Sequence, residues 1–157
     1  CDVNGIYGGY QGHGMKTIIP SEVRFKVTMR LAPGQNPDTV AQAFSDHVQS
    51  FNSATAKVGV EISQKAWPAT SDPGSKPIKA LVQATGVSLG KTPAIVRMGG
   101  TVPIAGTLQR ETGKSPVFLA VGVGGLIHSP NEYMHEAYFI TAIEMVINFL
   151  AELGRAA

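Results

Sequence analysis

One stretch constrains this chain more than any other: the unbroken apolar run Pro116-Val-Phe-Leu-Ala-Val121. It shows no alternation of polar and apolar positions. Such a run suits a strand covered on both faces, as in a parallel sheet walled by helices. The run ends in glycines (GVGG, 122–125), passes His128 within LIHSPNE, and gives way to a long amphipathic segment, Glu132 to Leu153. Phe139, Ala142, Val146, Phe149, Leu150 and Leu153 would form the inward face of this helix, with Gly154 at its end. A histidine in a glycine-rich loop between a buried strand and a helix occupies the place where α/β proteins present ligand-binding or catalytic groups.

The segment before it has the same rhythm. Ile78, Leu81, Val82, Thr85 and Leu89 mark a helix ended by Gly90. Ala94 to Met98 reads as a short apolar strand, Gly99-Gly100-Thr101 as a tight loop, and Pro103 to Glu111 as a helix stopped at Gly113. Strands alternating with helices imply a parallel sheet. The loops at Gly99–Thr101 and Gly122–His128 leave the carboxyl ends of their strands, so both belong to the rim where ligands bind. Two strands make a poor sheet, so partner strands are expected from sequence outside these 157 residues.

The first half is built differently. In residues 22–31, Val23, Phe25, Val27, Met29 and Leu31 face one way and Glu22, Arg24, Lys26, Thr28 and Arg30 the other. Such alternation means one packed face and one open face. Ala32-Pro-Gly-Gln35 is a turn, after which Asn36 caps a helix with Pro37 at its first position and Asp38 in its first turn. Val40, Phe44, Val48 and Phe51 form that helix's apolar stripe, and His47 lies off it, as a solvated histidine would. Lys57 to Ala66 reads as a second alternating strand, with Val58, Val60 and Ile62 on one face. Residues 1–20 carry Gly5, Gly8, Gly9, Gly12 and Gly14 among tyrosines, which fits either a hairpin arm or a ligand loop. Trp67 to Ser75 (WPATSDPGS) has the composition of a linker. The expected domains are therefore residues 1–67 and 72–157.

Composition narrows the function classes. Thirteen basic and 11 acidic residues leave a net charge of +2, with no basic stripe of the kind nucleic acid demands. The apolar runs are expected to be too short to span a bilayer. Cys1 is the single cysteine, so no disulfide framework exists, as in a cytoplasmic protein. The chain does not start with Met and reads as a fragment or a processed chain.

His128 has two readings, a loop histidine or a metal ligand. Zinc needs three or four protein ligands, and the sequence has no HExxH, CxxC or His-x-Asp pattern. His135 reads as a helix-surface residue, and Glu132 as a favourable charge at a helix start. Arg30 is either a solvated arginine or a bidentate clamp for a carboxylate. Thr101 is either an N-cap or part of an anion site at a helix start.

Three stretches in order, GIYGGYQGHGMKTIIPSEVRFKVTMRLAPGQ, VRMGGTVPIAGTLQRETG and IHSPNE before the last helix, give the chain a recognisable pattern. It resembles the C-terminal portion of dinuclear zinc metallopeptidases of the carnosinase, aminoacylase and carboxypeptidase G family. The resemblance implies an α/β fold: the end of a catalytic α/β domain, preceded by an incomplete ferredoxin-like α+β lid that mediates homodimerisation. It implies two zinc ions per complete active site, with His128 as one ligand and Glu132 behind it, orienting the loop. It implies that Arg30 binds the substrate carboxylate, that Thr17 lies close to the substrate, and that Gly99, Gly100 and Thr101, preceded by Arg97, hold its carboxylate end.

The family's other ligands, its catalytic glutamate and its lid histidine match nothing in these residues. The resemblance thus implies a zinc-dependent amidohydrolase acting on dipeptides or acyl-amino acids, with no catalytic residue in this chain and no activity without upstream sequence. The alternative is a non-catalytic dimerisation or binding module with a vestigial site. Neither nucleic acid nor membrane is an expected partner.

Overall fold

A computed structural model describes residues 1–99 and 102–155. The chain divides into two compact units, Cys1–Pro68 with Gly99–Pro103, and Ala69–Met98 with Ile104–Ala157.

In the first unit, β1 (Asp2–Gly8) pairs antiparallel with β2 (Val23–Thr28), so the glycine-rich start is a hairpin arm. The register slips between Val3 and Gly5, leaving Asn4 as a bulge. The extra residue changes which face the strand's alternation serves. Val3 therefore pairs with Val27, Ile6 with Phe25 and Gly8 with Val23 on one face. Asp2, Gly5 and Tyr7 pair with Thr28, Lys26 and Arg24 on the other. Asn4 stays tied to the hairpin through its Nδ2, which donates to Thr28 Oγ1 at 3.0 Å.

Helix α1 spans Pro37–Gln49, and Asn36 Oδ1 accepts the Asp38 amide at 2.8 Å. That satisfies one of the free donors of the first turn. Val40, Phe44 and Val48 are half-buried, as their spacing requires. Phe51 falls beyond the helix and is largely exposed, with its ring edge-on to His47 at 5.2 Å.

The expected strand at 57–66 does not form. Asn52 instead ties this segment back to the helix end, accepting from the Val58 amide at 2.7 Å and donating to Gln49 O at 2.8 Å. An ion pair joins Lys65 to Asp38. Alternation supplies one good face but not a ladder, and the segment has no strand partner among the described residues.

The second unit is a layer of helices: α2 (Lys76–Leu89), α3 (Pro103–Thr112, its first residue aside) and α4 (Glu136–Arg155). Gly90 ends α2 with φ 64°, the left-handed cap expected of it. Helices α2 and α4 pack together. Ala80, Ala84 and Thr85 on α2 and Met145 on α4 are buried, and Asn148 Nδ2 donates to Ser88 Oγ at 2.9 Å. Gln109 of α3 exchanges two hydrogen bonds with the Thr70 backbone, both at 2.9 Å.

Two expectations need correction here. Residues 94–98 and 116–121 are not hydrogen-bonded into a sheet, and Ile95, Val96 and Phe118 stand exposed. A strand exists through its neighbours, and these runs have none among the described residues. In their place, β3 (Gly124–Gly125) and β4 (Tyr133–Met134) make a two-residue antiparallel ladder.

The inward face of α4 is also rotated from that expected. Ala142, Met145, Phe149 and Leu153 face inward, while Phe139, Val146 and Leu150 are exposed. The helix carries two apolar stripes, and α2 occupies one of them. By length and composition α4 is long and apolar enough to cross a bilayer, which corrects the expectation that every apolar run is too short.

These two stripes give a direct stability contrast. Met145→Ala should cost the chain roughly 2–5 kcal/mol, whereas Val146→Ser should stay within about 0.5 kcal/mol. Urea denaturation of the two variants checks both values; equal losses would contradict the assigned faces.

Candidate functional site

The loop from Val123 to His135 is built from local bonds. The β3–β4 ladder closes it, helped by the His135 amide, which donates to Val123 O at 3.0 Å. Glycine is needed in β3, because a Cβ on Gly124 would sit 2.0 Å from Tyr133 O. The glycine run therefore serves close backbone approach. A phosphate loop is not needed to explain it.

Between the two short strands lie two back-to-back turns. Ser129 N–H donates to Leu126 O at 2.8 Å, and Glu132 N–H to Ser129 O at 3.2 Å. The second turn, Ser129-Pro130-Asn131-Glu132, is type II: Pro130 sits at its second position and Asn131, with φ 64°, at its third. The first turn repeats the geometry with Ile127 second and His128 third, at φ 62°. That third position favours glycine or asparagine. A left-handed backbone costs an ordinary L-residue about 1–2 kcal/mol. Leu126 adds a second such residue at φ 57°.

His128 is exposed, and its backbone N–H points at Glu132 Oε2 across 3.4 Å, a long charge-assisted contact. Loop strain at a chemically capable side chain is the pattern expected where function rather than folding selects the residue.

Two neighbouring residues differ from expectation. Glu132 lies in the second turn and not at a helix start, because Tyr133 and Met134 are spent on the ladder and α4 begins at Glu136. His135 precedes the helix instead of lying on it. Its ring meets Tyr133 edge-on at 5.5 Å, and its carbonyl accepts the Tyr138 amide.

Arg30, Thr17 and Gly99 belong to the first unit and Arg97 to the second. Arg30 is exposed, two residues beyond the end of β2. Thr17 is the centre of a γ-turn closed by Ile18 N–H to Lys16 O at 3.0 Å. It precedes a groove of about 520 Å³ lined by Tyr7, Gly9, Ile18, Ile19, Pro20 and Arg24. The hydrogen bond and charge of Glu22 hold the Arg24 guanidinium's pKa above its usual value. Gly99 has an ordinary φ, and a Cβ there would touch nothing, so its own surroundings do not require glycine. Gly100 and Thr101 lie outside the described residues. Within one unit, then, the structure brings together His128 and Glu132.

Comparison with known proteins gives this geometry its context. Residues 1–56 match the M20 family model described as a peptidase dimerisation domain. The chain is 30% identical over 163 residues to the Cys-Gly metallodipeptidase dug1 of Schizosaccharomyces pombe, covering 97% of this chain and 33% of that protein. It is 29% identical over 157 residues to the Beta-Ala-His dipeptidase of Mus musculus, covering 98% of this chain and 32% of the relative. Two solved structures superpose along nearly its whole length. One is the M20 family metallo-carboxypeptidase Sso-CP2 of Sulfolobus solfataricus (TM-score 0.77, 28% identity, 97% of this chain and 35% of that one). The other is the dipeptidase Dug1p of Saccharomyces cerevisiae (TM-score 0.81, 25% identity, 98% and 33%).

This chain is homologous to the M20 peptidases. It matches their C-terminal part, dimerisation domain included, and spans about a third of the length of these relatives. The family resemblance carried by its motifs, and the α/β class it implied, are borne out.

The strain at the first turn has a measurable consequence. Replacing His128 with glycine should raise the chain's stability by up to about 1 kcal/mol, since glycine adopts positive φ freely. Thermal denaturation checks it, and a loss of stability would make His128 a residue that the loop needs in order to fold.

Proposed function

We propose that this chain is the substrate-anchoring and dimerisation part of a metal-dependent hydrolase that cleaves amide bonds of dipeptides or acyl-amino acids. The observation that carries this reading is homology along almost the whole chain to dipeptidases and a metallo-carboxypeptidase. The strained, exposed His128 supports it independently.

Zinc is the proposed metal, two ions per complete centre, with His128 as one ligand and Glu132 behind it. A catalytic zinc takes three protein ligands. Among the described residues no group of three or more His, Cys, Asp or Glu could hold a metal. The residues present therefore do not make a zinc centre by themselves, and the remaining ligands and the general base are assigned to polypeptide outside these 157 residues. The chain's own contribution is binding and orientation. The planar fork of Arg30 suits a substrate carboxylate, and Thr17 is assigned beside the substrate. The Gly99, Gly100 and Thr101 stretch is assigned to the substrate's carboxylate end. Homodimerisation is assigned to residues 1–67, and the cytoplasm is the proposed compartment.

The absence of a ligand group among the described residues, with the match of residues 1–56 to a dimerisation domain, favours one second reading: a non-catalytic dimerisation or binding module. Assay separates the two. The purified 157-residue chain should bind zinc weakly and hydrolyse no dipeptide, and turnover by this chain alone would overturn the incomplete-centre reading. In the complete enzyme, Arg30→Ala should raise KM for carboxylate substrates by roughly tenfold or more, the loss of a charge-assisted hydrogen bond. A complete polypeptide with no metal and no turnover would leave the module reading standing.

A further inference from the structure

The geometry points to the Ser129-Pro130-Asn131-Glu132 turn as a clamp: it delivers the Glu132 carboxylate to the His128 backbone amide and so holds His128 in its left-handed conformation. This rests on the reading that His128 is a functional side chain, and adds how the chain positions it.

The argument starts from the unused donor. In the first turn the Ser129 amide is taken by Leu126 O. The amide of His128, at the third position, has no place in that bond. It is left open to an acceptor from elsewhere, and Glu132 Oε2 faces it at 3.4 Å. The carboxylate comes from the last residue of the second turn, whose own amide returns to Ser129 O. Ser129 thus links the two turns, donating to one and accepting from the other. Pro130 fixes its own φ, and asparagine is among the residues that tolerate positive φ, so the second turn forms with little strain. The relaxed turn carries the acceptor that holds the strained one. Glu132 is accordingly a positioning residue that acts through the backbone of His128, and Asn131 is a second one that acts through Glu132.

Solution NMR of the isotopically labelled 157-residue chain tests this without metal or substrate. Positive φ brings the amide and α protons of one residue close together, giving a strong intraresidue cross-peak. His128 should show it in the parent chain, lose it in Glu132→Ala and keep it in Glu132→Gln, whose amide oxygen accepts the same hydrogen bond. Asn131→Val leaves the carboxylate in place but disfavours the turn, and should also weaken the His128 cross-peak. Asn131→Gly should preserve it. Amide shifts of α2 and α4 confirm in each variant that the helical layer is folded. A strong His128 cross-peak in folded Glu132→Ala or Asn131→Val would overturn the clamp. Because the readout is a backbone conformation, its failure would leave the hydrolase reading untouched. Failure of the activity assays would likewise leave the clamp standing.

Discussion

A β-strand cannot complete itself: its backbone donors and acceptors all point sideways, half toward each edge, and must be met by neighbouring strands. That constraint governs this chain more than any side-chain contact. Where a partner lies within the 157 residues, as for β1 and β2, a ladder forms with a defined register. Where the described residues offer none, as at 57–66, 94–98 and 116–121, sequences with the apolar marks of a strand remain unpaired. The helices are free of this constraint because their backbone bonds are internal. They form where periodicity and caps place them, and α2 and α4 bury one stripe against each other.

The same distinction explains what could be read from the sequence. Asn36, Pro37 and Gly90 announced helix ends through chemistry local to a few residues, and α1 and α2 begin and stop where those residues place them. The inward face of α4 was partly illegible, since a helix with two apolar stripes does not say which stripe its neighbour takes. Its start was misplaced by four residues because the β3–β4 ladder, a nonlocal pairing, claims Tyr133 and Met134 before the helix can begin.

The candidate site divides along similar lines. Motifs singled out His128, Arg30, Thr17 and the Gly99 loop, but not the backbone that carries them. The strain at Leu126 has no sequence signature, and that at His128 only a weak one, since histidine visits positive φ more often than most residues but far less readily than glycine. The turn at Pro130-Asn131 does have one: proline followed by asparagine is the composition a type II turn demands. Read for turn chemistry, SPNE shows why Glu132 can face the histidine four residues before it. Exposed apolar surface on α4 and on the run at 94–98 fits a chain that spans about a third of its homologues.

The bulge at Asn4 has a consequence of another kind. In an unbroken strand, Val3 and Ile6 would lie on opposite sides of the hairpin, since three is an odd step in a two-fold alternation. The extra residue makes that step even, so the strand changes phase once and both side chains join Phe25 and Val27. Asn4 is thus a parity switch in the chain's first arm. Losing this one residue would restore an ordinary ladder with the same faces, whereas drawing it into an unbroken ladder would turn everything before it inside out.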